Sequence, residues 1–122
     1  MKIKAINENG QIIALVNSET ILIKDGSSAL DFMMNISHEI KSRRIALNKE
    51  AIDEQFFDLR TGIAGDVLQK FVNYRIKFAI IGDFSTYTSK ALKDFIFESN
   101  KGNSIFFVND ENTALTCLAT AK

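Results

Sequence analysis

The sequence predicts a single α/β domain whose central sheet is mixed and mostly parallel. From residue 20 onward, apolar runs of strand length alternate with amphipathic helical patterns, strand then helix, four times over. Such alternation is typical of parallel strands joined by right-handed helical crossovers. The Asn9-Gly10 pair separates two earlier strand-like runs, which adds an antiparallel β-hairpin at the amino-terminal end. Because single domains run to roughly 100–200 residues, we predict one domain over residues 1–122 with about four helices.

The hairpin strands are predicted at residues 2–7 and 11–17. Both residues of an Asn-Gly turn tolerate the positive φ of a type I′ turn. The second strand contains the apolar run at residues 12–16, which shows no alternation of polar and apolar residues. Such a run is typical of burial on both faces, so this strand is expected inside the sheet. Residues 20–24 form a short third strand candidate.

A turn with capping residues follows at residues 25–28 and begins the first helix. Ser28 and Asp31 resemble a capping box, with aspartate in place of the usual glutamate. The predicted inward face of this helix has apolar residues at helical spacing: Ala29, Met33, Ile36 and Ile40. A strand is predicted next, at residues 44–48.

Residues 49–60 are predicted as a polar loop around Phe56 and Phe57. The helix that starts near Gly62 has the clearest amphipathic pattern in the chain. Its apolar residues form two adjacent rows, with Ile63, Val67 and Phe71 in one row and Ala64, Leu68 and Val72 in the other. A buried strand is predicted next, at residues 76–82. The helix that follows has Ala91, Leu92, Phe95 and Ile96 on its inward face and stops at Gly102. The chain then continues with a predicted strand at residues 104–108 and a helix at residues 109–121.

Composition and charge exclude several classes of protein. Fifteen basic residues balance fifteen acidic ones, whereas a nucleic-acid-binding protein needs a basic surplus on one face. Cys117 is the only cysteine, so the chain can form neither an internal disulfide nor a cysteine-based zinc cluster. The first residues become polar before an apolar stretch of signal-peptide length, and no apolar run approaches the roughly 20 residues that span a bilayer. We therefore predict a cytoplasmic protein that binds neither nucleic acid nor membrane.

Two polar loops are expected at the carboxyl ends of neighbouring parallel strands, where open α/β sheets usually bind ligands. The first includes Asp53, Asp58, Arg60 and Thr61, and the second includes Asp83, Ser85, Thr86, Tyr87, Thr88, Ser89 and Lys90. Each loop leads into a helix N-terminus, and two such termini together could receive an anion. The alternative is that Thr61, and Thr88 or Ser89, serve only as N-caps, which every helix needs.

Other candidate groups favour structural roles. The carboxylates Asp53, Asp58 and Asp83 are of the kind that binds Mg²⁺, but their spacing matches no metal-site signature, and we predict no metal and no cofactor. His38, the only histidine, lacks the further ligands of a metal centre and is expected to be partly buried on its helix. No base adjoins Cys117, so this thiol is expected to be a small buried apolar group.

Several stretches of the chain carry a resemblance to a known family. They read FFDLRTGIAGDVLQKF from residue 56, NYR from residue 73, IGDFS from residue 81, SK from residue 89, DFI from residue 94 and ESNKG from residue 98. These stretches resemble the uncharacterised bacterial domain-of-unknown-function family numbered 4180, and the resemblance covers nearly the whole chain. It implies no particular biochemical activity.

A looser similarity is to STAS-type domains, the fold of anti-sigma factor antagonists, which also begin with strands followed by strand–helix units. In those domains a regulated hydroxyl precedes a glycine at the start of a central helix, in an Asp-Ser-Ser-Gly or Asp-Ser-Thr-Gly context. Thr61-Gly62 occupies this place, although Arg60 stands where a small residue would be and the aspartate is at 58. The similarity implies a module that binds other proteins, with Thr61 as its phosphorylation site. A phosphate there would meet the positive helix end and Arg60.

These observations lead to two hypotheses of function. The first is a non-enzymatic regulatory or protein-interaction module of STAS-like type, whose surface centres on residues 58–66 and 83–90. The second is a phosphate or small-molecule ligand-binding domain, with or without enzymatic activity, whose pocket lies at the carboxyl ends of the parallel strands. Association of identical chains stays open. The candidate binding residues are Asp58, Arg60, Thr61, Gly62, Asp66, Asp83, Ser85, Tyr87 and Lys90.

Overall fold

The computed structural model describes residues 1–122 and contains one five-stranded sheet. The strands are β1 (Lys2–Glu8), β2 (Gln11–Asn17), β3 (Arg44–Asn48), β4 (Lys77–Ile81) and β5 (Ile105–Val108), and they lie side by side in chain order. The first pair is antiparallel and the other three pairs are parallel. The predicted mixed, mostly parallel sheet with an initial hairpin is therefore confirmed.

The hairpin turn has the backbone that its two residues favour. Asn9 has φ 52° and Gly10 has φ 86°, so both residues occupy the positive-φ region that a two-residue type I′ turn requires. The Gly10 N–H also donates to the Asn7 side-chain oxygen at 3.0 Å. The turn pairs Glu8 with Gln11 and so sets the register of the whole hairpin.

Four helices cover the two faces of the sheet unequally. They are α1 (Gly26–Glu39), α2 (Ile63–Asn73), α3 (Lys90–Asn100) and α4 (Glu111–Thr120). Because each parallel strand adds beside the previous one, right-handed crossovers bring α1, α2 and α3 to the same face. Met33, Phe71 and Leu92, one from each of these helices, share the larger core cluster, whereas α4 packs on the opposite face. None of the four helices has the length and apolar character needed to cross a membrane.

Side-chain size differs between the two faces. On the face covered by three helices, Phe71 of α2 stacks on Phe78 of β4, with ring centroids 4.0 Å apart and planes 8° apart. On the other face Ala46 and Ala79 lie opposite each other in β3 and β4, and both belong to the core cluster beneath α4. Small side chains there let the single helix approach the sheet closely.

The predicted strand at residues 20–24 is wrong. Only Ile23 makes a bridge, with Ile52, and no ladder forms around it. The reason lies at the end of β2. The Ser18 N–H donates to Asn48 Oδ1, and Asn48 Nδ2 donates to the Ser18 carbonyl oxygen, each at 2.8 Å. The amide of Asn48 thus replaces the next backbone partner, and the chain leaves the sheet.

The predicted helix start and four burial assignments also need correction. The N-cap of α1 is Asp25, whose carboxylate accepts from the Ser28 N–H at 2.8 Å, and Ser28 is the third helical residue rather than the cap. His38, Val72 and Ala91 are exposed rather than inward-facing, and Cys117 is half-buried. The helical period predicted which face of each helix points inward, but not where each helix extends beyond the core.

Candidate functional site

The two predicted loops lie at the same edge of the sheet. β3 and β4 are parallel and end together, with Asn48 opposite Ile81. The first loop contains three 3₁₀ turns, at Lys49–Ala51, Glu54–Phe57 and Leu59–Thr61. The second loop, residues 82–89, leads into α3. The rings of Phe57 and Tyr87 stack across the two loops, with centroids 5.2 Å apart and planes 23° apart.

A concave pocket of about 500 Å³ opens between the two loops. We call it the loop pocket. Its lining comes from both loops and from the start of α3: Glu54, Phe57, Asp58, Leu59, Arg60, Tyr87, Thr88, Ser89 and Ala91. Most binding sites for small molecules are clefts of roughly 300–1,000 Å³ with apolar walls and a few polar groups. The loop pocket has the size and the mixed lining of such a site.

Aromatic side chains hold the two loops against the sheet. Phe57 is only 4% exposed, and its ring packs against Phe56 at 4.8 Å and Phe84 at 6.0 Å between centroids. Phe84 in turn contacts Phe107 of β5 edge-on at 5.5 Å. This chain of rings fixes the position of Tyr87 and makes the wall of the loop pocket rigid.

Lys49, Glu54 and Tyr87 form a polar network beside these rings. The Lys49 ammonium donates to Glu54 Oε1 at 3.0 Å. The Tyr87 hydroxyl lies 3.0 Å from each oxygen of the same carboxylate. The Lys49 Nζ atom also lies 5.2 Å from the centre of the Phe57 ring and 5.0 Å from that of Tyr87, within cation–π range. The side chain of Lys49 is 16% exposed, so its charge is largely removed from water.

The ionisation states of this network favour binding over proton transfer. Burial raises the pKa of Tyr87, and its hydrogen bond with Glu54 adds to the increase, while Lys49 opposes it. Burial lowers the pKa of Lys49, but hydrogen bonds with Tyr87 and Glu54 outweigh this and leave it above its ordinary value. At neutral pH the lysine is therefore a fixed cation and the tyrosine a neutral hydroxyl, whereas a general base needs a pKa near 7.

Close approach of two loops explains Gly82, the first residue after β4. A Cβ atom built at this position would lie 2.6 Å from Lys49 Cβ and 2.9 Å from Lys49 Cδ. Glycine is therefore needed for the Lys49 side chain to pass over the end of β4 and reach Glu54.

Arg60 and Asp58 form an ion pair on the rim of the loop pocket. Arg60 Nε lies 2.9 Å from Asp58 Oδ1, and Nη2 lies 2.9 Å from Oδ2. The guanidinium lowers the pKa of the Asp58 carboxyl below its ordinary value. The Arg60 side chain is 91% exposed, and its Nη1 group donates to no protein atom, so it can still bind an anion in the pocket.

Thr61, Gly62 and Asp66 organise helix starts instead of lining the loop pocket. The Thr61 hydroxyl lies 3.0 Å from the Gln55 carbonyl oxygen and 2.8 Å from that of Asp58, and it accepts from the Ile63 N–H at 3.2 Å. Gly62 has φ 77°, the left-handed conformation that favours glycine. This threonine is tied into the turn that precedes α2.

Asp66 connects two helices. Its Oδ2 atom accepts from the Gly26 N–H at 3.1 Å, at the start of α1. Its other oxygen lies 3.3 Å from the Lys70 ammonium, one turn further along α2. A carboxylate near a helix N-terminus stabilises the helix dipole. Asp66 thereby stabilises the packing of α1 against α2.

The remaining predicted residues are also occupied by local partners. Asp83 Oδ1 accepts from the Ser85 N–H at 2.9 Å and from its hydroxyl at 2.6 Å. Both hydrogen bonds lower the pKa of the Asp83 carboxyl, and the bond from the Ser85 hydroxyl has the larger effect. Lys90 pairs with Asp94 at 2.7 Å along α3 and does not line the pocket.

Of the nine candidate residues, three line the loop pocket and six do not. The three are Asp58, Arg60 and Tyr87. Sequence reasoning missed Lys49 and Glu54, an ion pair whose lysine side chain is only 16% exposed. The sequence does hold one indication of their role. Lys49 directly follows a buried strand, and Gly82 occupies the equivalent position after the neighbouring strand.

Hydrogen bonds hold the pKa of four exposed aspartates below its ordinary range: Asp25, Asp58, Asp83 and Asp110. A carboxylate with a lowered pKa stabilises the folded state above its unfolded pKa, near 4, and this contribution is lost as pH falls through the folded value. We expect the free energy of unfolding to fall as the pH drops below about 4. Asp110→Asn, which keeps an N-cap side chain but removes its charge, should make this fall shallower.

Urea unfolding at pH 7, 5, 4 and 3 measures this dependence. A wild-type free energy that stays constant down to pH 3, or an Asp110→Asn curve with the same slope as the wild type, would contradict the prediction.

A model of a known protein family matches almost the whole chain. The family model described as Domain of unknown function (DUF4180) covers residues 8–118. The chain belongs to this family, as its resemblance in residues 56–102 predicted. No curated protein and no solved structure matches it.

Proposed function

We propose that this DUF4180 protein is a small-molecule-binding domain whose ligand, an anion with a flat apolar body, occupies the loop pocket. The observation that carries the proposal is the joining of two loops around one concavity at the carboxyl edge of parallel strands. That concavity combines an aromatic wall with an exposed guanidinium. The sequence predicted such a pocket at this edge as one of two alternatives.

The apolar part of the ligand would lie against one wall. Phe57 and Tyr87 supply stacked rings there, and Leu59 and Ala91 complete the apolar lining. Because the Phe57 ring is already held by its neighbours, ordering this wall adds little entropic cost on binding. A planar group gains the most from such a wall, since aromatic rings prefer offset stacking.

The anionic part would lie between Arg60 and the start of α3. The Ser89 hydroxyl accepts from the Leu92 N–H at 3.2 Å, but the N–H groups of Lys90 and Ala91 donate to no protein acceptor. These two groups point out of the first turn, where the helix dipole favours negative charge. Glu54, which with Asp58 is one of two carboxylates in the lining, is compensated by Lys49. A carboxylate or a phosphate suits this position.

A thermal-shift screen tests the proposal. The panel contains inorganic phosphate, nucleoside monophosphates and aromatic carboxylates. A ligand at 100 times its Kd should add about 2.7 kcal/mol of stability, which for a domain of this size raises Tm by about 10 °C. Arg60→Gln should weaken the binding of any hit by about tenfold. Arg75→Gln removes another exposed arginine, at the opposite ends of the strands, and should leave binding unchanged.

Two results would refute this function. One is a panel in which no compound raises Tm by more than the scatter of replicates. The other is a hit whose affinity Arg60→Gln and Arg75→Gln reduce equally, because that outcome shows binding through net charge and not through the loop pocket.

A protein-interaction and regulatory role is the second candidate, and a different groove favours it. This groove, of about 340 Å³, lies at the amino edge of β3 and β4 and includes Met34, Tyr74, Lys41 and Arg43. Met34 and Tyr74 are large apolar side chains left exposed, and adaptable methionines are typical of partner surfaces. The similarity of Thr61-Gly62 to STAS-type domains implies the same kind of role. Met34→Glu should abolish recovery of a stoichiometric partner, whereas Ile21→Glu, an equal apolar loss elsewhere, should not.

A further inference from the structure

We propose that two copies of this chain associate through β1, which pairs antiparallel with β1 of the second copy to give one ten-stranded sheet. The proposal rests on the contrast between the two edges of the sheet, on the charges of β1 and on exposed apolar residues beside it. It is independent of the loop pocket, which lies at the ends of the strands and not along this edge.

The β5 edge is closed by a side chain of the same molecule. Asn100, the last residue of α3, accepts from the Phe107 N–H at 2.7 Å and donates to the Phe107 carbonyl at 3.1 Å. Its amide occupies both outward backbone groups of Phe107, and all four residues of β5 are buried. Such covering of an edge prevents pairing with another chain.

The β1 edge has no such cover. In a two-residue hairpin the residues that flank the turn exchange hydrogen bonds, so Glu8 and alternate residues before it direct their N–H and carbonyl groups toward β2. Ile3, Ala5 and Asn7 consequently direct theirs outward. No side chain of the structure bonds to these outward groups, and a seven-residue strand thus remains open along its length.

The charges of β1 are complementary to themselves in one register. Lysines occupy positions 2 and 4, and Glu8 is at the other end. When two copies pair antiparallel about Ala5, Lys2 of each lies opposite Glu8 of the other, and the outward backbone groups of Ile3 meet those of Asn7. Opposite charges directly across a strand pair are stabilising and like charges are destabilising. A parallel pairing would place the lysines against each other, so the charges select the antiparallel register.

An apolar strip lies beside this edge. Ile3, Ala5 and Ile12 lie on the face covered by α1, α2 and α3, since Ile3 and Ala5 pair with the core residues Val16 and Ala14 on that face. Ala5 is exposed and Ile12 is 41% exposed, whereas Ile3 is half-buried against the core, so the three helices leave part of this strip uncovered. A second copy would bury this strip as it extends the sheet.

Sedimentation equilibrium of the full chain tests the proposal. The wild type should reach a monomer–dimer equilibrium below about 1 mM. Glu8→Lys places like charges at both ends of the pairing and should raise the dissociation constant by about tenfold. The double variant Lys2→Glu/Glu8→Lys restores the opposite charges and should return the constant to within about threefold of wild type. Glu39→Lys, the same change on α1, is the matched control and should have no effect.

Ala5→Pro removes an outward N–H without touching the bonds to β2, and it should give a monomer with an unchanged circular dichroism spectrum. A wild-type chain that remains monomeric up to about 1 mM overturns the proposal. A dimer that Glu8→Lys and Glu39→Lys affect equally also overturns it. If Ala5→Pro fails to fold, the charge-reversal set still decides between these outcomes.

Discussion

Phe57→Ala should lower the free energy of unfolding by about 3–5 kcal/mol and abolish binding in the loop pocket. The ring is 4% exposed and contacts three other aromatic side chains, Phe56, Phe84 and Tyr87. Truncation leaves a cavity where the two loops meet, and the wall against which a ligand would stack disappears. Since domains are stable by only about 5–15 kcal/mol, this variant should be close to unfolding at physiological temperature.

Urea unfolding monitored by circular dichroism measures the loss. Phe97→Ala is the matched control because Phe97 is 60% exposed and its ring, which lies 4.4 Å from the Lys101 ammonium, belongs to none of the aromatic pairs. That variant should change stability by no more than about 0.5 kcal/mol. Similar losses for the two variants would show that Phe57 does not hold the loops together.

Gly82→Ala should destabilise the protein by about 1–3 kcal/mol through overpacking. The added Cβ would lie 2.6 Å from Lys49 Cβ, an atom that cannot move without its backbone. Either the end of β4 or the start of the first loop must shift. The Lys49 ammonium then loses its position beside Glu54 and Tyr87, so ligand binding should weaken together with stability.

A double-mutant cycle isolates this contact. Lys49→Gly removes the atoms that the new methyl group would meet, so Gly82→Ala should cost less in that background. Gly65→Ala is the control: a Cβ there meets nothing within 4 Å, and the substitution in α2 should stabilise by about 0.5–1 kcal/mol. Equal costs of Gly82→Ala with and without Lys49 would exclude the clash as the cause.

Local patterns predicted the fold well where local physics decides it. Asn9-Gly10 predicted the hairpin because few residue pairs accept two positive φ angles. The apolar runs predicted β2 and β4 because buried strands need apolar side chains on both faces. Residues 20–24 have the composition of a strand, but the bonds of Asn48 to Ser18 end the pairing. That contact joins residues 30 positions apart, and no local pattern contains it.

The candidate site was predictable in position but not in composition. The sequence predicts both the order of the elements and the parallel pairing, and together these bring the two loops to one end of the sheet. Which side chains face the pocket depends on partners nearby. Asp83 binds Ser85 and Lys90 binds Asp94, and neither lines the pocket. Lys49 reaches Glu54 only because Gly82 lacks a side chain, a condition set in three dimensions.

The lone helix α4 gives the chain a late closing step during synthesis. Because each strand adds beside its predecessor, residues 1–108 could assemble in the order in which they leave the ribosome. One side of that nascent sheet, including Ile13, Ala46 and Ala79, would stay uncovered until α4 arrives. Arg44 of β3 then donates to carbonyl oxygens near the end of α4, that of Ala121 at 3.0 Å, and so fastens the helix in place. A released chain truncated before Glu111 should therefore be prone to aggregation and sensitive to proteases.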